Sequence, residues 1–172
     1  CEQRVLHQVP LTGAGVVSLA RVREELLRTD ADGLLQRFWS EKRISELVAV
    51  PSEGWDELPG GHARCLHFRL PLRPMGPMAP SSTRMSVAYF LTGLGEGSDS
   101  VVLAEVSQSW DVPYASTFTV QGQHVFAAEA AGGGCGVTNT SGVAWRGRCM
   151  LKPVIESTAR SEADEAGKVF AE

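Results

Sequence analysis

The chain has 172 residues, of which 43% are hydrophobic and 21% are charged, and this length and composition predict one globular domain with a buried core. Its formal net charge of −4 gives no overall attraction to nucleic acid, so an anionic partner would require a local basic patch. The sequence contains neither the run of about 18 apolar residues that a membrane-spanning helix needs nor a signal-peptide pattern. Because it begins with Cys1 rather than Met, we expect a fragment of a longer protein.

The first 17 residues mix polar groups with the stretch GAGVV and show no sustained period, so we expect a tether over 1–17 and a domain over 18–172. Beyond this tether, apolar residues recur at helical spacing in two runs separated by TDADG. These runs are Leu19, Val22, Leu26 and Leu27, then Leu34, Leu35, Phe38 and Trp39. Two helices joined by a polar hinge are predicted.

The period then changes to two, which is typical of strands with one buried face. In the clearest case, alternation places Leu66, Phe68 and Leu70 on one side of a strand. In the next predicted strand it places Met85, Val87, Tyr89 and Leu91 on one side. Further strand-like runs cover 44–50, 101–110, 118–128 and 137–145. Their connectors include GLGEGSDS and AAGGGCG, which are short and glycine-rich like hairpin loops. The pattern predicts an antiparallel meander of about six or seven strands.

The last segment, beginning at Leu151, returns to a helical period with one broad apolar stripe, and Pro153 suits the first turn of a helix. This stripe needs an apolar surface to cover, and the sheet provides one. We therefore predict an α+β, helix-grip fold, in which a curved antiparallel sheet surrounds a long C-terminal helix. Two helices lie near the N-terminus, and an apolar cavity separates helix and sheet.

The residues that could carry chemistry form no convincing catalytic or metal site. The candidates are His62, Cys65, His67 and His124, which lack partners at ligand spacing. The four cysteines contain no CxxC pair, so we expect no zinc site, no cofactor and inert thiols in a reducing, cytosolic setting. Glu105 stands alone in its strand, and the predicted inward positions are apolar. An enzymatic role is not expected.

The loop LRPMGPMAPSS, from Leu72 to Ser82, carries three prolines that keep it out of regular structure. Its two methionines, Met75 and Met78, are flexible apolar side chains near the predicted loop tip. Two interpretations stay open. The loop forms a lid that touches membrane or ligand, or its methionines fold back onto the core of a long hairpin connection.

The stretch WDVPYASTFTV resembles the hallmark of VASt domains, also called ASTER domains. The matching residues are Asp111, Val112, Pro113, Tyr114 and Phe118. The similarity continues through Leu34–Glu41, Trp55, Pro74–Ser82 and Gly142–Glu156, and so covers roughly residues 18–170 in the family's order. Relatives usually carry a GRAM domain before this module and a transmembrane segment after it.

This resemblance implies a START-like, monomeric domain that binds a sterol, such as cholesterol or ergosterol, and transfers it between membranes. The expected setting is the cytosolic face of endoplasmic reticulum contact sites. The alternatives are a carrier of phospholipid or another hydrophobic ligand, and an interaction module without transfer activity. Under the sterol hypothesis we expect the cavity to be lined by Phe38, Tyr89, Tyr114, Phe118, Val154 and Thr158. The lid and membrane contacts are predicted at Met75, Met78, Arg146, Arg148 and Lys152. For each aromatic residue, plain core packing is an equally good interpretation.

Overall fold

The computed structural model describes the backbone of residues 4–10, 17–72, 80–128 and 134–171, and the side chains of 17–72, 80–128 and 134–166. The helices are α1 (Leu19–Leu27), α2 (Leu34–Glu41) and α3 (Lys152–Ala171), with a single 3-10 turn at Ala115–Thr117. The strands are β1 (Arg4–Pro10), β2 (Ser45–Val50), β3 (Asp56–Leu58), β4 (Gly61–Pro71), β5 (Ser82–Thr92), β6 (Ser100–Ser109), β7 (Phe118–Ala128) and β8 (Cys135–Trp145).

The strands form one antiparallel sheet with the order β1-β8-β7-β6-β5-β4-β2, and the short strand β3 pairs with β4 beside β2. The meander from β4 to β8 follows the alternation of the sequence, since each of these strands buries every second side chain over part of its length. A curved, open antiparallel sheet with a long C-terminal helix packed on it confirms the predicted START-like, helix-grip α+β fold.

The predicted tether 1–17 contains a strand that the sequence analysis did not identify. Residues Arg4–Pro10 form β1 and pair antiparallel with β8, with Val9 opposite Val137. This edge strand depends on pairing with one neighbour that is distant in sequence, and its own seven residues carry little signal. The predicted boundary between tether and domain stays a prediction.

Helices α1 and α2 cover one part of the inner face of the sheet. Ser18 caps α1, because its Oγ accepts a hydrogen bond from the backbone N–H of Arg21 at 3.2 Å. The buried side chains of the two helices pack on those of β4–β7. This core contains Val22, Leu26, Leu35, Phe38, Trp39, Leu66, Phe68, Val87, Leu91, Val101, Leu103 and Phe126.

Helix α3 packs against β8 and β1 and is held in place near its start and at its middle. At its start, Trp145 Nε1 donates a hydrogen bond of 3.0 Å to Glu156. Farther along, Lys42, directly after α2, lies 2.8 Å from Glu162 and 2.6 Å from Glu165. These contacts join α3 to the end of β8 and to the residue after α2. Among the described residues, no helix combines the length and apolar character required to cross a membrane.

Candidate functional site

The inner face of the sheet is tightly packed at the end that carries the β5–β6 hairpin. Side chains from six elements are at most 2% exposed there: Leu26, Leu35, Leu91, Val101, Leu103, Phe126 and Val137. His124 also lies in this region, 3% exposed, and its Nδ1 is 2.6 Å from Asn139 Oδ1. This end is a filled core.

A row of mostly polar positions crosses the inner face next to this core. Strand register places Arg64 opposite Tyr89, Tyr89 opposite Glu105, Glu105 opposite Gly122, and Gly122 opposite Ser141. Residues directly opposite each other in antiparallel strands point to the same side. These five residues therefore form one line across β4 to β8, which we call the polar row.

The Glu105 carboxylate lies over Gly122 at the centre of the polar row. A Cβ atom at position 122 would fall 2.6 Å from Glu105 Oε1 and 2.8 Å from its Cγ, so only glycine leaves room for this side chain. Tyr89 lies directly opposite Glu105, and its hydroxyl accepts a hydrogen bond of 2.8 Å from Trp39 Nε1. Burial, and then the negative charge of Glu105, raise the pKa of Tyr89, so its hydroxyl stays protonated beside the carboxylate.

The expectation that inward positions are apolar is incorrect for this row. Glu105 shares the inner face with Leu103, and Arg64 shares it with Leu66 and Phe68. The sequence contained this information, because the same alternation that places the apolar residues on the inner face also places Glu105 and Arg64 there. A single charged residue gains significance only when register shows its neighbours on adjacent strands.

Beyond the polar row, the inner face of β6–β8 is incompletely covered. Ser107, Val120 and Val143 are aligned across these strands and are half-buried, like Glu105. Opposite them, the first half of α3 leaves Val154 44% exposed. Close-packed interiors do not leave aligned inner positions half-covered. We call the space at Glu105, Ser107, Val120 and Val143 the open recess.

The predicted cavity residues occupy three different environments. Phe38, on α2, and Tyr89, on β5, are both buried. Phe118 is also buried, and its ring centroid is 5.6 Å from that of Trp145. Tyr114 is half-buried. Val154 and Thr158 are exposed on α3, where the Thr158 hydroxyl donates to the Val154 carbonyl at 3.0 Å. Ligand contact by all six stays a prediction.

The predicted lid and membrane residues belong to segments at the end of the sheet opposite the packed core. The bond from Leu72 N to Ser81 O, 2.8 Å, closes the base of the proline loop at this end, whereas Met75 and Met78 lie outside the described residues. The β8–α3 connection is also here. Its basic residues Arg146, Arg148 and Lys152 are exposed.

Two apolar residues that the sequence analysis missed accompany these basic side chains. Met150 is 86% exposed and Leu151 is 42% exposed, and Val154 follows one turn later on α3. Lys152 is held above Trp145, with its Nζ 5.5 Å from the ring centroid. The segment RGRCMLK carried the signal, because apolar residues between basic ones suit the surface of a membrane.

The hallmark segment is fastened to β5 at the same end of the sheet. Asp111 accepts hydrogen bonds from the backbone N–H of Arg84 at 2.8 Å and from its guanidinium at 2.7 Å, and its own N–H donates to Thr83. Tyr114 adopts a left-handed backbone conformation with φ of 63° at the turn into the 3-10 helix. Asp111 therefore anchors a turn and does not face the recess.

The histidine and cysteine candidates are divided between the two faces of the sheet. Cys65 and His67 lie on the outer face, where His67 Nδ1 is 2.9 Å from Ser86 Oγ. His124 lies on the inner face in the filled core. The structure brings no pair of these side chains together for catalysis.

The ion pair at Asp111 makes a pH-dependent contribution to stability. Hydrogen bonds from Arg84 lower the pKa of Asp111 from 3.8 to about 2. A lowered pKa in the folded state stabilises the fold above the unfolded value and loses that effect as pH falls through the folded value. We expect the stability difference between wild type and Asp111→Asn to be constant above about pH 5 and to shrink between about pH 4 and pH 2.

Urea denaturation across this pH range measures the difference. Asp56→Asn, which changes an exposed aspartate of β3, is the matched control and should show no such trend. A difference between wild type and Asp111→Asn that does not change with pH would exclude the ion pair as its origin.

Comparison with known families gives one match, and no curated protein matches the chain. The family model is VASt, described as VAD1 Analog of StAR-related lipid transfer domain, and it matches residues 17–162. This range includes the polar row, the open recess, the hallmark turn and the first half of α3. VASt is a family of lipid-transfer-like domains and not of enzymes. The chain therefore belongs to the VASt family, and the ligand class that this membership supports is lipid.

Proposed function

We propose that the chain binds a sterol in the open recess and transfers it between membranes without any covalent step. The observation that carries this proposal is the arrangement of the inner face. A packed core closes one end, a polar row follows, and a partly uncovered apolar surface leads towards exposed Met150 and Leu151. A sterol has the same polarity along its length, with one hydroxyl at the end of a rigid apolar body.

The Glu105 carboxylate supports this orientation, because a buried hydroxyl needs a hydrogen-bond partner. A sterol hydroxyl that reaches the polar row would donate to Glu105, which lies opposite the buried Tyr89 and over Gly122. The ring system would lie along Val120 and Val143. Burying about 400 Å² of apolar surface at about 25 cal/mol per Å² contributes about 10 kcal/mol before entropic costs.

The exposed apolar and basic residues at the start of α3 support a membrane-docking surface. Met150, Leu151 and Val154 can enter the interface of a bilayer, while Arg146, Arg148 and Lys152 attract anionic lipid. Each basic residue near such a surface contributes about 1 kcal/mol. Met75 and Met78 stay the proposed lid residues. The proposed setting is the cytosolic face of endoplasmic reticulum contact sites, with anchoring by other parts of the protein.

A lipid-extraction assay tests the function. The chain is incubated with liposomes that carry labelled cholesterol or ergosterol and labelled phosphatidylcholine, and protein recovered free of liposomes is analysed for lipid. We expect sterol in the recovered protein. Recovery of phospholipid alone would replace the sterol with a phospholipid ligand, and recovery of no lipid would leave only an interaction module.

Replacing the carboxylate tests the orientation of the sterol. A hydrogen bond to a charged group contributes about 1.5–3 kcal/mol, so Glu105→Leu should weaken sterol binding at least tenfold. A sterol analogue without the 3-hydroxyl should bind wild type and variant with similar affinity, because it has no group to donate. Titration of a fluorescent sterol measures both affinities.

The control for this variant is Glu53→Leu, which removes an exposed carboxylate from the loop after β2. Equal weakening of the sterol and its deoxy analogue in Glu105→Leu would show a general loss of the site rather than a lost hydrogen bond.

Changing the docking surface should separate transfer from binding. We expect Met150→Asp with Leu151→Asp to slow sterol transfer between liposomes several-fold, because two charges replace the residues that enter the bilayer. The affinity for sterol in solution should stay the same. Val48→Asp with Val50→Asp is the matched control, since these residues are 57% and 51% exposed on the outer face of edge strand β2. An unchanged transfer rate in the Met150 and Leu151 variant would remove this surface from the proposal.

A further inference from the structure

Arg64 is a buried arginine on the inner face of the sheet. It is 4% exposed, and it lies on the same side of β4 as Leu66 and Phe68 and directly opposite Tyr89. Arginine is rarely buried in proteins unless its charge is paired with an acid. The position therefore requires a partner for the guanidinium.

No described residue supplies that partner. Arg64 Nε is buried and has no hydrogen-bond acceptor. The other two nitrogen atoms, Nη1 and Nη2, are not buried without a partner. The acidic member of the polar row, Glu105, lies two strands away, which corresponds to about 10 Å at the usual spacing of strands. Burial lowers the pKa of Arg64, with no carboxylate to oppose the effect. The side chain keeps its charge, because the pKa of arginine is far above neutral.

A second enclosed donor lies beside Arg64. Trp55 packs against the core, and its indole Nε1 is buried without an acceptor. Asp56 is opposite Ala63 and Trp55 directly precedes Asp56, so we infer from the register that Trp55 is the neighbour of Arg64. A guanidinium and an indole N–H are both hydrogen-bond donors, and neither can accept.

We infer that Arg64 and Trp55 form a site for the anionic group of an acidic lipid, which is a second ligand class for this domain. An anionic oxygen would supply the acceptor that both donors lack and neutralise the buried charge, and a planar guanidinium suits carboxylate and phosphate alike. A neutral sterol carries no such group, and its hydroxyl is matched by Glu105 in the same row. The inference builds on the proposed lipid-binding function and does not depend on the ligand being a sterol.

Extraction of acidic lipids by the 172-residue chain tests the site. Phosphatidylcholine liposomes carry labelled oleate, dioleoyl phosphatidic acid or, as the neutral counterpart, methyl oleate. We expect wild type to extract at least one acidic lipid at least tenfold more than methyl oleate. Preference for oleate identifies a carboxylate site, and preference for phosphatidic acid identifies a phosphate site.

Two variants assign this preference to the named donors. Arg64→Met, which keeps the length of the side chain and removes the charge, should reduce extraction of the acidic lipid at least tenfold and leave that of methyl oleate unchanged. Trp55→Phe removes the indole N–H and should cause a several-fold reduction. Arg160→Met, at an exposed position of α3, removes an equal charge outside the site. Circular dichroism and thermal unfolding establish that each variant is folded.

The outcomes separate this site from the sterol proposal. Equal extraction of acidic and neutral lipids by wild type, or an equal loss of both in folded Arg64→Met, would overturn the inference. If Arg64→Met does not fold, Arg64→Lys and Trp55→Phe give the same comparison, and unchanged selectivity in both would also overturn it. A sterol arm in the same liposomes reports on the sterol proposal separately, because that proposal is tested by sterol extraction by wild type and this inference by the ratio of acidic to neutral lipid extracted.

Discussion

The inner face of this sheet is wider than its helices can cover, and most of the structure follows from that constraint. A sheet with seven strands in one path needs apolar cover along its full width. Helices α1 and α2, of nine and eight residues, cover the face at β4–β5 and at the hairpin end. Helix α3 packs on β8 and β1, where Trp145 with Glu156 and Lys42 with two glutamates hold it in place. The uncovered area is the open recess.

The polar row lies where packed core gives way to open recess, and its position has a physical reason. Inside the filled core, a carboxylate would lose its hydration without compensation. In the fully open region a carboxylate would not discriminate between ligands, because water would satisfy its hydrogen bonds. At the boundary, Glu105 lies opposite the buried Tyr89, and the Glu105 residue itself is half-buried. The residue opposite, Gly122, has no side chain to compete for that space.

The sequence was sufficient for the fold and the family because both depend on local patterns. Alternation predicted β4–β8, helical spacing predicted all three helices, and Asp111 to Tyr114 identified the VASt family. The short strand β3 and the edge strand β1 escaped detection, since three and seven residues carry little periodicity of their own. The polar row was missed for a different reason. Its members come from five strands, and only the register aligns them.

The charges of the polar row suggest how one inner face distinguishes ligands. Glu105 is an acceptor at the centre of the row, so it favours a hydroxyl and repels an anion. Arg64, beside Trp55 near the β4 edge, has the opposite preference, because both side chains are donors. Tyr89 lies between the two charged residues in the row, and Trp39 holds its hydroxyl with a hydrogen bond of 2.8 Å. Because Glu105 and Arg64 do not pair with each other, the polar row contains one acidic and one basic environment. Ligand choice in this fold would then depend on lateral position along the row rather than on how deeply a lipid inserts.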